Sequence, residues 1–122
     1  IGFAIKVHKE LGPGLLESIY EECLKYELER NDYDVKQQLT VKIDYYDLET
    51  ETDLKLDLLI NDCVIVELKT VENILPIHEA QLLSYMKLLR RPQGLIINFK
   101  TTNITKSAKP FVNEYYKILD DE

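Results

Sequence analysis

A mixed α/β fold, with a central mixed sheet flanked by helices, is the class that this chain of 122 residues predicts. Three observations carry it. Apolar residues recur at helical spacing in residues 3–11, 15–30 and 77–91. Short runs rich in β-branched and aliphatic residues, at 35–48, 54–60, 63–68 and 95–99, are bounded by turn residues. Their order is helix, three strands, helix, strand, and the helix before the last strand allows parallel pairing through a right-handed crossover.

Each element has its own warrant. Phe3, Val7 and Leu11 share one helix face, and Gly12-Pro13-Gly14 interrupts that helix. From residue 15 to about 30, Leu15, Leu16, Ile19, Tyr20, Cys23, Leu24 and Leu28 line one side, and Asn31-Asp32 ends the pattern. In 35–48, Leu39, Val41, Ile43 and Tyr45 alternate with polar neighbours, and residues 49–53 read as a polar turn. The two apolar runs at 54–60 and 63–68 meet at Asn61-Asp62. Pro76 suits a first helical turn, and Leu82, Leu83, Met86 and Leu89 mark the core side of the helix after it. Pro92-Gln93-Gly94 stops that helix before the apolar strand 95–99. Beyond Lys100 two readings stand: Phe111, Val112, Tyr115, Tyr116 and Leu119 fit a helix, and residues 111–113 fit an edge strand equally well. No repeat, linker or low-complexity segment divides the chain, so one domain over residues 1–122 is expected.

Composition excludes several classes. No apolar run approaches the roughly 20 residues of a membrane helix, so no membrane partner is expected. Cys23 and Cys63 are isolated and lack CxxC spacing, which predicts structural thiols in a reducing cytoplasm and no zinc site. The sequence starts at Ile1 without a Met, so a preceding segment, with any targeting signal, is expected to be missing. The net charge of −7 argues against a general nucleic-acid coat. It is unevenly spread, because residues 80–113 carry no Asp or Glu but hold Lys87, Arg90, Arg91, Lys100, Lys106 and Lys109. Read one way, this stretch docks a polyanion; read the other, it is a helix end and a solvated loop.

The chemistry centres on Asp57 and, ten residues on, Glu67-Leu68-Lys69. Charged side chains are rare in buried strands unless paired or bound to a metal, so two carboxylates and a lysine suggest a site for Mg²⁺ and a reacting phosphate. Side-chain alternation puts Glu67 and Lys69 on one face. A two-residue hairpin loop sets Asp57 against Val66, whereas the three-residue loop Asn61-Asp62-Cys63 sets it against Glu67. Three-residue loops favour glycine at their left-handed position, which Cys63 does not satisfy. Glu17 lies at the edge of its helix's apolar stripe, either solvated there or directed at a cation. On the later helix His78, Gln81 and Tyr85 share a face. Gln81 is placed to orient a water or a phosphate oxygen, and Tyr85 to pack at the site rim or in the core. His78 reads as an exposed first-turn residue and His8 as a surface or capping one. No GxSxG, phosphate-binding glycine loop or Cys/His pair suggests covalent catalysis.

These residues have a familiar look. Gly14-Leu15-Leu16-Glu17-Ser18-Ile19-Tyr20 resembles the signature of the GxxExxY protein family, and residues 7–14 resemble its lead-in. Val64-Ile65-Val66-Glu67-Leu68-Lys69 and His78-Glu79-Ala80-Gln81-Leu82-Leu83-Ser84-Tyr85 are similar to that family's central blocks. The family is placed in the PD-(D/E)xK nuclease superfamily, whose restriction-endonuclease-like core is αβββαβ. The resemblance implies a single nuclease-like domain. It implies that Asp57, Glu67 and Glu17, with the Leu68 backbone carbonyl, hold Mg²⁺, or Mn²⁺ as a substitute. It assigns Lys69 to the attacking water and the developing phosphate charge, and Gln81 to orienting groups at the site. Leu56, not Pro, precedes Asp57, a departure from the motif. The implied reaction is metal-dependent hydrolysis of a phosphodiester, with DNA the expected substrate. Tyr85 and the six basic residues are the candidate nucleic-acid contacts, and a homodimer or partner protein is expected to help an acidic chain grip its substrate. Two other readings keep the fold: a non-catalytic module binding nucleic acid or protein, and a structural domain in which Glu67 and Lys69 form an ordinary strand ion pair. Without metal, Asp57, Glu67 and Glu17 repel one another, which predicts at least one raised carboxyl pKa.

Overall fold

In the computed structural model, which describes residues 1–50, 52 and 54–116, two helices lead into the sheet. Helix α1 (Gly2–Leu11) stops at Gly12, whose φ of 74° glycine adopts without steric cost and whose N–H closes on the His8 carbonyl. Helix α2 (Glu17–Glu29) begins later than its periodicity predicts. Leu15 and Leu16 therefore precede the helix and are exposed, as is Ile19, while Tyr20, Leu24 and Leu28 are buried.

Tyr20 ties the loop between the helices to the sheet. Its hydroxyl donates to the Gly12 carbonyl and accepts from the Leu15 N–H at 3.0 Å, and its ring stacks on Phe99 with centroids 4.5 Å apart. Glu17 is thus set by a clamped first turn. Tyr20→Phe keeps the ring and leaves a backbone N–H and a carbonyl unpaired, at a cost of about 1–3 kcal/mol. A thermal melt followed by circular dichroism is expected to show a Tm lower by roughly 5–10 °C.

The strands are β1 (Val35–Thr40), β2 (Ile43–Tyr45), β3 (Leu48–Thr50), β4 (Lys55–Ile60), β5 (Val64–Lys69), β6 (Gln93–Asn98) and β7 (Lys109–Val112). Helix α3 (Pro76–Leu88) joins β5 to β6, and a single turn, α4 (Ile104–Ser107), precedes β7. Five strands make one mixed sheet in the order β1-β4-β5-β6-β7, parallel only between β5 and β6. The series α2, β1, β4, β5, α3, β6 is the expected αβββαβ core.

Three details differ from the sequence reading. The run 35–48 is not one strand: it breaks after Thr40, and residues 43–50 pair with themselves as a separate β2–β3 hairpin. Glu49, expected in a turn, is therefore in β3. Alternation along Leu39, Val41, Ile43 and Tyr45 reports face, and a change of sheet leaves it intact. Both tail readings are met in part: Phe111 and Val112 lie in the edge strand β7, antiparallel to β6, and residues 114–116, with Tyr115 and Tyr116, are helical; Leu119 lies outside the described residues. On α3, Leu83 is 40% exposed and Tyr85 takes the core position beside Leu82 and Met86.

Apolar side chains divide between the two sheet faces. Leu58, Val66, Leu68, Ile97 and Phe99 pack with α1 and α2, while Leu56, Leu59, Ile65 and Ile96 pack with α3. Gly94 admits this closeness, since a Cβ there would lie 2.6 Å from the Met86 Sδ. Among the described residues no helix is long and apolar enough to cross a membrane.

Candidate active site

The site forms where β4 and β5 part. Their ladder pairs Ile60 with Val64, Leu59 with Ile65 and Leu58 with Val66, so the loop is the three-residue Asn61-Asp62-Cys63. The same register, carried one step on, sets Asp57 across from Glu67. The left-handed positions fall on Asn61 (φ 52°) and Asp62 (φ 54°), residue types that tolerate them, and the Cys63 N–H closes on the Ile60 carbonyl at 3.0 Å. Cys63 thus escapes the conformation that makes glycine the favoured residue.

Past Leu58 the two carboxylates take over from the ladder. The Asp57 N–H donates to Glu67 Oε1 at 3.2 Å, and the Leu68 N–H donates to Asp57 Oδ2 at 2.8 Å. Each buried backbone donor gains a carboxyl oxygen as its partner. On the other side of β5 the Lys69 carbonyl accepts from the Phe99 N–H at 2.8 Å. Strand geometry turns the Leu68 carbonyl the opposite way, with its N–H, toward Asp57.

Charge is concentrated here. Asp57 and Glu67 are both buried. Burial, reinforced by the Asp57 charge, pushes the Glu67 carboxyl up to about 8, and Lys69 only partly offsets this. Glu17, on the first turn of α2, is raised by burial and then by Asp57, with Lys69 opposing. Burial, followed by the charges of Glu67 and Asp57, raises the Tyr85 phenol. The fold therefore brings Glu17, Asp57, Glu67, Lys69 and Tyr85 into one electrostatic neighbourhood. Gln81 is half-buried one turn before Tyr85 on the same face of α3 and forms no hydrogen bond with the carboxylates.

Glu21 belongs to the cluster, though sequence reasoning passed over it. It is 6% exposed, and burial raises its carboxyl, with Asp57 adding to the effect and Gln37 opposing it. Its oxygens accept from Gln37 Nε2 at 2.7 Å and Gln38 Nε2 at 2.8 Å. The signal was present, because Glu21 is four residues after Glu17 and shares its face.

The donor set suits a hard divalent cation. Mg²⁺ takes one or two carboxylates and keeps several waters, and Asp57 and Glu67 are a buried pair whose mutual repulsion a cation relieves. Among the described residues no group of three or more His, Cys, Asp or Glu is arranged to hold a metal ion.

The basic residues do not gather at this point. Arg91 pairs with Asp62 at 2.8 Å, Lys100 with Glu72 at 2.5 Å, and Lys109 with Glu79. Lys87, Arg90 and Lys106 are exposed. Arg90 and Arg91 precede the start of β6, where Gln93 pairs with Val64, at the end of β5 away from Glu67. Lys100 follows the other end of β6, the end beside Lys69.

The profile of the PD-(D/E)XK nuclease superfamily matches residues 1–111. This chain belongs to that superfamily. Comparisons with curated proteins and with solved structures found no match. Membership in the PD-(D/E)XK superfamily makes nucleic acid the class of ligand, and its nucleases generally use divalent metals. The mixed five-stranded sheet flanked by helices agrees with the superfamily's fold.

Proposed function

We propose that this chain is a Mg²⁺-dependent nuclease of the GxxExxY family, a single domain over residues 1–122 that hydrolyses phosphodiesters in DNA. The observation that carries this reading is the Asp57–Glu67 pair at the strand fork, with Lys69 two residues beyond. Asp57, Glu67 and Glu17, with the Leu68 carbonyl, would hold Mg²⁺, and Mn²⁺ would substitute. A bound divalent cation supplies Lewis-acid stabilisation of phosphate charge and a more acidic water. Lys69 orients the attacking water in line and places a positive charge beside the phosphate oxygens as charge develops. Gln81 orients groups at the site, and Tyr85, buried in the core rather than open to nucleic acid, lines the site from α3 within reach of the Glu67 and Asp57 charges. Lys87, Arg90, Arg91, Lys100, Lys106 and Lys109 are the nucleic-acid contacts, of which Lys100 is nearest in the topology to Lys69. An acidic chain with three of these cations already paired suits a homodimer or a partner protein that adds positive surface. The free thiols of Cys23 and Cys63 suit the cytoplasm.

Calorimetric titration with Mn²⁺ and Mg²⁺ tests the site without a guess about sequence preference. Saturable binding is expected in the wild type and is expected to be lost in Asp57→Asn/Glu67→Gln. Indistinguishable titrations, joined to DNA and RNA binding without cleavage, would leave the binding-module reading standing in its place.

A further inference from the structure

Strand β1 carries a residue that a regular strand does not accommodate. Gln38 has φ of 51°, a left-handed value disfavoured for glutamine. It stands in register across from Asp57, between the pairs Gln37–Leu58 and Leu39–Leu56, and the ladder skips that pair. Both strands change face there. Leu58 packs on the α1 and α2 side, but Leu56 and Leu39 pack on the α3 side, although alternation keeps residues two apart on one face.

The irregularity aims one carboxamide at two acids. Gln38 Nε2 donates to Asp57 Oδ1 at 3.2 Å and to Glu21 Oε1 at 2.8 Å. Glu21 is buried on α2 and is held through its other oxygen by Gln37. Asp57 is therefore gripped at both oxygens, by Gln38 at Oδ1 and by the Leu68 N–H at Oδ2. A neutral group with two N–H donors can lie between two carboxylates and satisfy both without adding charge.

We propose that Gln38 is a positioning residue that sets the orientation of the Asp57 carboxylate, with Glu21 as its anchor on α2. The purpose of that orientation, presenting Asp57 to a divalent cation, rests on the nuclease reading; the orientation itself is a property of the metal-free protein. Gln38 is exposed at the rim, so replacing it removes no core contact.

Two substitutions separate positioning from a structural role in the strand. Asn and Gly accept the left-handed backbone better than Gln does, yet Asn is one methylene too short to reach Asp57 and Gly has no carboxamide. Gln38→Asn and Gln38→Gly relieve the backbone but take a donor from Asp57 and Glu21, so both are expected to fold cooperatively with a Tm close to that of the wild type. The readout is the Leu68 amide, two strands away and linked to Gln38 through the Asp57 side chain. By NMR on the metal-free protein its resonance is expected to shift, and its hydrogen exchange to quicken by at least ~10-fold, in both variants. Mn²⁺ affinity by calorimetry is expected to weaken by roughly 10–100-fold. A Leu68 amide unchanged in either folded variant overturns the proposal, as does, in a wild type that binds Mn²⁺, an equal affinity in the variants. A Leu68 amide that responds in a protein that binds no Mn²⁺, wild type included, upholds the positioning and defeats the nuclease reading.

Discussion

Purified Lys69→Ala protein is expected to keep its fold and to lose phosphodiester-cleaving activity by at least ~10²–10³-fold, the usual cost of removing one electrostatic stabiliser from a transition state. The fold survives because Lys69 is half-exposed at the end of β5, and its side chain belongs to neither apolar cluster. Activity is expected to be lost because, in the proposed mechanism, Lys69 supplies the positive charge within an acidic group that otherwise repels a phosphate. Glu67→Gln is expected to lose as much. It preserves shape and an acceptor for the Asp57 N–H, so a loss of activity in that variant reports charge rather than packing. Cleavage of supercoiled plasmid and of a labelled single strand, at saturating Mg²⁺ or Mn²⁺, measures both variants. Full activity in Lys69→Ala would reject the site assignment outright.

The metal-free protein is expected to lose stability as pH rises from about 5 to about 8. The Glu67 carboxyl is pushed up to about 8 in the folded chain from an ordinary value of 4.5. Between those values the folded state holds a proton that the unfolded state has released. Stability is thus fully present below the unfolded value and drains away as pH climbs to the folded one. One proton gives at most about 1.4 kcal/mol per pH unit, so the window is worth a few kcal/mol. Glu17 and Glu21 are raised in the same direction and steepen the trend. Glu67→Gln, which cannot ionise, is expected to melt with a flatter pH profile than the wild type and at a higher temperature at pH 8. Added Mg²⁺ is expected to raise the wild-type Tm most at the alkaline end, because the ion favours the ionised pair. Parallel profiles for the two proteins would show that Glu67 is not held protonated by the fold.

What could be read in the chain and what could not divide along a physical line. The apolar runs of β4 and β5 are local and legible, whereas the loop length between them stood open at two or three residues, and the strand register fixes the three-residue loop that brings Asp57 opposite Glu67. Glu17 was legible at the edge of its helical stripe, and the clamp that fixes it uses Tyr20, three residues on in the same motif. Glu21 was legible in principle from its spacing to Glu17 and was hidden by the strength of the strand motif. Gln38 was not legible. Its place beside Asp57 depends on a left-handed backbone that regular alternation forbids.

The basic stretch shows the other side of the line. In sequence Lys87, Arg90, Arg91, Lys100, Lys106 and Lys109 form one uninterrupted positive segment. In space Asp62, Glu72 and Glu79, all from outside it, neutralise three of the six, and the segment passes from one end of the sheet to the other. Local pattern and spacing, which act within a few residues, determined the class of fold, the order of its core and the acidic pair with its lysine. Tertiary structure decided which carboxylates join that pair, which cations stay free and where a strand must bend, because charge pairing and sheet register act between residues that the sequence keeps far apart.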